Sequence, residues 1–517
     1  MFRGIKWKKI LKLSAYGGAG VGLISSLHAN NYDVTSVGIV RFANAAKAVL
    51  DISVYYKKNL YKTEVKLMDQ ESDEYLKLKS EVHQWGAERL LKLCCLNKGV
   101  FIKVGQHIGA LDYLLPVEYV NTMKVLHSKA PKSSLKDVYT VLRQDLGKEP
   151  EEIFKSIDPE PLGTASLAQV HKAVLHDGRT VAVKVQHASV RGNSIVDLKT
   201  MEFLVSIVSR LFPDFRFEWL VKETKRNIPL ELDFHNEGKN AERADRILVH
   251  FPWLFVPKIY WNLTTPRVLT MEFVEGGQIN DVEYIEKSKI NKVQLSSRLG
   301  DMYSEMIFKH GFVHADPHPG NILVQACNND FRIILLDHGL YAELEPKFRR
   351  QYARLWLSIM NFDMPAIKQV ANDLGVGDLY WLLSCMVTGR TWESISGAGG
   401  ITKSKPGADE KKVFQQRIPQ FLPHINAVLS RVDRQMLLLF KTNDLLRGIE
   451  HTLKTHGRRA ALLTMAARCV QAEYSEQRRE ALGALQRNAI TICEVWTLFK
   501  LKIWYLMLSI TDILGFA

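Results

Sequence analysis

The chain has no C-x-x-C pair, and its six cysteines lie far apart except for the adjacent Cys94 and Cys95. Neither a disulfide framework nor a zinc site is indicated, and the pattern points to buried, reduced thiols. Zinc-finger spacing and RNA-recognition signatures are missing too, so nucleic acid is not an expected partner. No uninterrupted apolar run reaches the about 20 residues that a membrane-spanning helix needs. The first acidic residue is Asp33, although Arg3, Lys6, Lys8, Lys9 and Lys12 precede it. A basic, acid-free, amphipathic start is the composition of a mitochondrial targeting segment, expected over residues 1–30. A secretory signal is the competing reading, and the lack of paired cysteines counts against it. The uncharged stretch Leu13 to Ala29 leaves a membrane anchor open.

What is present is globular. Over 517 residues, 46% are hydrophobic and 24% charged, values of a folded chain long enough for two or three domains. The net charge of +14 calls for an anionic partner, a nucleotide or a membrane surface, unless it is only a solvated basic face.

Residues 36–130 read as helices. They contain Lys103-Val-Gly105-Gln106, where Lys103 and Gln106 share a helical face and Gly105 permits close approach. Taken alone, this is a helix with a solvated lysine. A β-rich stretch follows. Gly163-Thr164-Ala165-Ser166 is small-residue loop chemistry, Leu167 to Leu175 reads as a strand, and Asp177-Gly178 is a hairpin turn. Val181-Ala-Val-Lys184-Val is the returning strand. Lys184 is either solvent-facing or phosphate-pairing, and Val-Ala-Val-Lys after a small-residue loop favours the phosphate.

Residues 195–250 read as helix again. Glu231, Asp233 and Glu237 form an acidic run in which 233 and 237 share a face, either solvated or aimed at Lys184. Val256 to Trp261 and Arg267 to Phe273 read as a second hairpin. After Asp337 the chain reads as almost all helical, with a Gly-, Ser- and Lys-rich break over 394–412. The last stretch, Ala489 to Ala517, is apolar and aromatic but broken by Glu494, Lys500, Lys502 and Asp512. It reads as an interfacial amphipathic helix or a core-packing one.

The chemistry concentrates in residues 312–339. His314-x-Asp316 precedes Asn321 by the D-x-x-x-x-N spacing of a kinase catalytic loop, and an apolar strand then runs into Asp337-His338-Gly339. At these positions a carboxylate can accept a hydrogen bond from an acceptor hydroxyl. An amide oxygen and a second carboxylate can hold the Mg²⁺ ions that neutralise a triphosphate. Asp, Asn, Pro and Gly are also ordinary turn residues, but this combined spacing is hard to reach by accident. No Ala-Pro-Glu motif or long activation segment follows, the parts that dock peptides in protein kinases. The expectation therefore shifts to a small-molecule or lipid substrate, or to none.

Together, Lys103-x-Gly105-Gln106, the small-residue loop, Glu231-x-Asp233 and His314-x-Asp316 to Asn321 resemble the UbiB family of aarF-domain-containing atypical kinases. Within it the chain is most similar to the mitochondrial kinase 1 group. The resemblance implies an α+β, protein-kinase-like bilobal fold. A helical extension would span 36–145, a β-rich N-lobe 146–277 and a helical C-lobe 278–517. It places Lys103 near Glu231 and Asp233, where a peptide would otherwise sit. It gives Lys184 the α/β-phosphates and Glu237 as partner, and Gly163 to Ser166 the nucleotide. Asp316 takes the catalytic position, and Asn321 and Asp337 become Mg²⁺ ligands.

The family's alanine-rich loop here reads Gly-Thr-Ala-Ser. His338 stands where kinases have Phe, and Ala315 where they have Arg. Two functions follow. One is an ATP- and Mg²⁺-dependent phosphotransferase or ATPase in mitochondrial lipid homeostasis, acting on a lipid or prenyl-type molecule at the inner membrane. The other is a catalytically silent, nucleotide-gated scaffold that organises the inner membrane and its cristae through protein partners.

Overall fold

The structure, a computed structural model, describes residues 37–69, 72–109, 115–127, 132–212, 218–328, 330–396, 424–425, 427–455 and 460–513. The expected targeting segment or anchor over 1–30 lies outside them, as does most of the 394–412 break. The architecture is α+β and divides into two compact units. One combines Met1–Asn236 with Ile259–Phe273, the other Glu237–Lys258 with Val274–Ala517. The division falls inside the helix Phe234–Leu248.

The first unit begins with helices Gly38–Asn59 and Asp73–Asn97. The second of these starts where the Ser72 side chain accepts the Tyr75 amide, with Asp73 and Glu74 complementing the helix dipole in its first turn. The short helix Val100–Gly109 carries the Lys-x-Gly-Gln run. Its apolar face (Val100, Phe101, Ile102, Ile108) joins one core with Leu93, Met123, Leu126 and Leu198. Ile228 and Leu232 belong to that core as well. The helices Val190–Leu211 and Glu218–Glu231 are thus packed into the same interior as the extension.

A five-stranded antiparallel sheet completes this unit. Its strands are β1 (Phe154–Ile157), β2 (Gly163–Thr164), β3 (Ala168–Leu175), β4 (Thr180–Gln186) and β6 (Val268–Glu272), in the order β1-β3-β4-β6 with β2 pairing β3. The turn from β3 to β4 forms where the Asp177 carboxylate accepts the Arg179 amide, an Asx turn. Val181, Val183 and Val185 of β4 are fully buried with Val138, Val141 and Leu142 of the helix Leu135–Leu146.

The second unit holds a four-stranded sheet in the order β5-β10-β9-β7, built from β5 (Leu254–Phe255), β7 (Gly277–Gln278), β9 (Ile322–Cys327) and β10 (Asp330–Leu335). A two-stranded ribbon pairs β8 (Phe312–His314) with β11 (Tyr341–Glu343). The helices Lys292–Glu305, Pro346–Asn361, Arg434–Thr452, Ala460–Glu480 and Ala484–Ile513 pack against one another in the same unit. Trp356 and Tyr352 are buried, and Asn443 Nδ2 donates to the Tyr352 hydroxyl at 3.0 Å. The chain enters β8 through Gly311 at φ 64°, a left-handed turn that costs glycine little and other residues more.

Three expectations are corrected. Val256 to Trp261 is not a strand. Pro257 has no amide proton to give a ladder, and Ile259 makes only an isolated bridge to Met271. The pairing segment nearby is β5, which runs parallel to Ile333 and Ile334. Asp233 and Glu237 share no helical face, because one helix ends at Glu231 and the next begins at Phe234. Asp233 sits in the break, its carboxylate accepting the His235 amide. Finally, Cys94, Cys385 and Cys469 are buried, but Cys95 and Cys493 are exposed.

Candidate functional site

In the first unit, Lys103 and Glu231 form a buried ion pair, Nζ to Oε2 2.8 Å, with side chains 9% and 10% exposed. Gln106 turns away from them and donates to the Leu126 carbonyl at 3.0 Å. A Cβ on Gly105 would lie 2.3 Å from Leu126 Cδ1 and 3.3 Å from Cys94 Sγ. Only glycine lets this turn of helix approach its neighbours so closely. Asp233 is half exposed and stays at its turn. On β4, the Lys184 ammonium lies 5.2 Å from the centre of the Phe234 ring, within cation–π range.

The loop Gly163 to Ser166 is held from behind by side chains that no spacing in the sequence marks. Ala165 N–H donates to the Ala168 carbonyl, and the His187 amide to that of Leu167. His187 Nε2 donates to the Ala165 carbonyl at 3.1 Å, and its Nδ1 meets Ser133 Oγ at 2.7 Å. The Ser133 amide donates to Gln169 Oε1, Gln169 Nε2 meets His171 Nε2, and His171 Nδ1 reaches the Asp158 carbonyl. Burial pushes the His187 ring below its usual pKa. A neutral ring that donates from Nε2 and accepts from Ser133 at Nδ1 satisfies both partners. A histidine right after a Val-rich strand was the only available clue.

In the second unit, the residues from 314 to 339 converge. His314 is buried at 1% exposure. Its Nε2 donates to the Asp337 carbonyl at 2.7 Å, and its Nδ1 accepts the Asp316 amide at 3.2 Å. One ring thus ties both acidic segments together. Asn321 Nδ2 donates to the Asp316 carbonyl at 3.2 Å, and the Leu336 amide donates to the Asn321 carbonyl at 3.0 Å. The Asp337 carboxylate accepts the Gly339 amide at 2.8 Å. A Cβ at Gly339 would be 3.2 Å from Asp337 Oδ1 and 3.8 Å from Glu237 Oε2, so the buried Glu237 lies close to the Asp-His-Gly turn.

His338 points inward. Its Nδ1 meets the Tyr341 hydroxyl at 3.0 Å and its Nε2 the Leu335 carbonyl at 3.1 Å. Asn240 Nδ2 donates to its carbonyl at 3.0 Å. Burial above all, with the Tyr303 phenol and the Asp337 carboxylate nearby, pushes the Tyr341 hydroxyl well above its usual range. Tyr303 is raised by burial and by Asp316.

Asp316, Asn321, Asp337 and Glu237 are therefore brought together in one unit. Lys184, the Gly163 to Ser166 loop and the Lys103–Glu231 pair belong to the other. The donor set fits Mg²⁺. That ion takes one or two carboxylate or amide oxygens and completes its shell with phosphates and water, which Asp337 and Asn321 can supply. Among the described residues no group of three or more His, Cys, Asp and Glu side chains could hold a metal ion, and a nucleotide-carried Mg²⁺ does not require one.

The model of the ABC1 atypical kinase-like domain matches residues 125–371. The chain is 53% identical over 508 residues to the AarF domain-containing kinase 1 of Drosophila melanogaster, covering 97% of both. It is 49% identical over 509 residues to the AarF domain-containing protein kinase 1 of Mus musculus, covering 97% of this chain and 95% of that one. A solved erythromycin complex from Mycobacterium tuberculosis aligns with 69% of this chain and 97% of its own, at 21% identity and a TM-score of 0.44.

Proposed function

Because the chain belongs to the ABC1/AarF family of atypical kinase-like proteins, we propose that it binds ATP with Mg²⁺ and acts as a phosphotransferase or ATPase. The observation that carries this reading is the His314 ring, which fixes Asp316 and Asp337 at once. A backbone fixed on both sides by one buried ring presents the Asp316 and Asp337 carboxylates from preorganised positions, as phosphoryl transfer requires. Lys184 would hold the α/β-phosphates, with the loop Gly163 to Ser166 along the nucleotide. Asn321 and Asp337 would hold the metal, which screens the negative charge of the phosphates. Asp316 would orient the attacking hydroxyl by accepting its hydrogen bond.

The acceptor in this proposal is a lipid or prenyl-type molecule, since the sequence has no peptide-docking segment. The place of work is a mitochondrial membrane, in keeping with the basic, acid-free first 30 residues. Inner-membrane proteins are further partners in the same reading. The test is thermal melting of the full chain with Mg²⁺ and ATP. At a hundredfold excess over Kd, stabilisation of about 2.7 kcal/mol is expected for wild type and none for Asp337→Asn. Equal shifts in both proteins would remove Asp337 from the metal, and no shift in either would end the nucleotide reading.

A further inference from the structure

The helix Ala484–Ile513 is tied down by polar pairs and leaves an apolar stripe open. On its packed side Thr497 Oγ1 meets the Tyr474 hydroxyl at 3.2 Å, and Glu494 pairs with Arg478. On the other side Leu485, Ile492, Trp496, Phe499 and Ile503 are 88%, 68%, 56%, 50% and 42% exposed. Their spacings of seven, four, three and four residues put them on one face at 3.6 residues per turn. The stripe is about 27 Å long at 1.5 Å per residue. A monomeric protein in water seldom leaves such a continuous apolar surface uncovered.

Charge and aromatic placement identify the cover. Exposed Lys500 and Lys502 border the stripe on its two sides. The Lys500 ammonium lies 5.4 Å from the Trp496 ring centre, and the Trp496 and Phe499 rings stack at 5.8 Å. Lysines beside an apolar stripe can rest their stems on it while their ammonium groups reach upward to phosphate. Tryptophan favours the same boundary. No described helix is long and apolar enough to cross a membrane, which fits a helix lying in the surface rather than through it.

We propose that the Leu485–Ile503 stripe is the face with which this protein lies in the interface of an anionic phospholipid bilayer. The proposal deepens the membrane part of the functional reading and rests on it, but not on nucleotide binding.

The test is flotation of the full chain with phosphatidylcholine vesicles, with and without phosphatidylglycerol. Wild type should float with the anionic vesicles and less with the neutral ones. Trp496→Ser with Phe499→Ser should weaken partitioning at least about tenfold, which corresponds to about 1.4 kcal/mol, with an unchanged circular dichroism spectrum and melting temperature. Lys500→Glu with Lys502→Glu should erase the preference for anionic vesicles while leaving a residual apolar component. Wild type that fails to float at all would remove the membrane reading itself. Wild type that floats together with an equally floating Trp496→Ser/Phe499→Ser variant would overturn only this face. A dimer of wild type that the same variant dissolves, with flotation unchanged, would assign the stripe to a second copy and also overturn the proposal.

Discussion

His187 shows how a residue remote from any motif can control one. Its ring donates to the Ala165 carbonyl inside the small-residue loop and accepts from Ser133. The bond that it accepts at Nδ1 requires the neutral form, and burial holds its pKa down. The unfolded chain therefore takes up this proton at a higher pH than the folded one. The stability due to His187 is complete above the unfolded value of about 6.5 and is lost as pH falls below it. His187→Ala should cost about 1 kcal/mol above pH ~7, the net worth of a typical hydrogen bond. The gap between wild type and variant should close as the medium is acidified. Denaturant melts of the two proteins across that range check this, and their difference cancels the half-buried His83 and His310, whose rings are also held below their usual pKa. A gap that stays constant with pH would show that the ring's charge state does not matter to the loop.

At the scale of elements, the helix Val100–Gly109 depends on a missing side chain. Gly105→Ala would gain up to about 1 kcal/mol of helix propensity, but its Cβ would overlap Leu126 Cδ1 at 2.3 Å. Overpacking of that kind costs about 1–3 kcal/mol, so a net loss is expected. Leu126→Ala alone should cost about 2–5 kcal/mol by opening a cavity. The double variant should lose at least about 1 kcal/mol less than the sum, because each change makes room for the other. Urea unfolding of the four proteins measures that coupling, and strict additivity would deny the contact.

This helix also marks how far the sequence could be read. The glycine within a lysine–glutamine turn announced a close approach, and the hairpin of β3 and β4 was legible from Asp177-Gly178 and alternating valines. The partners Leu126 and Cys94 were not, because they arrive from other helices. The acidic run looked continuous by spacing alone, yet the helix stops at Glu231 and restarts at Phe234. Local pattern likewise mistook Val256 to Trp261 for a hairpin arm. The nearby segment Leu254–Phe255 finds its strand partner almost eighty positions later, beyond the reach of a short window. In the candidate site the convergence of the Asp316, Asn321 and Asp337 segments was readable because all three lie within one short stretch of chain. The network through Ser133, Gln169, His171 and His187 was not, since it is assembled from three separate stretches.

For the whole molecule, the order of the chain and the order of its units differ. Residues 259–273 return to the first unit after 237–258 have joined the second. The return supplies β6, whose Val268, Leu269 and Met271 are buried and which closes the β4 edge. It also brings Arg267 to Asp145, Thr265 Oγ1 to the same carboxylate at 2.7 Å, and the Pro266 carbonyl to Gln186 Nε2 at 3.0 Å. A fragment of residues 37–236 would therefore expose a strand edge and leave Asp145 without its arginine, both destabilising. The same fragment joined to 259–273 by a Gly/Ser linker restores every one of these contacts. Calorimetry should find a cooperative transition for the linked form and a broad or absent one for residues 37–236 alone. Should the shorter fragment melt as sharply and at the same temperature, β6 would be an accessory strand, and the interleaving of the chain would carry no stabilising weight. The linked form would also test the charge distribution, since its Lys103–Glu231 pair lies wholly inside that unit. Lys103→Met should destabilise it by about 3–5 kcal/mol by stranding a buried carboxylate, and Glu231→Leu added to it should recover most of that loss.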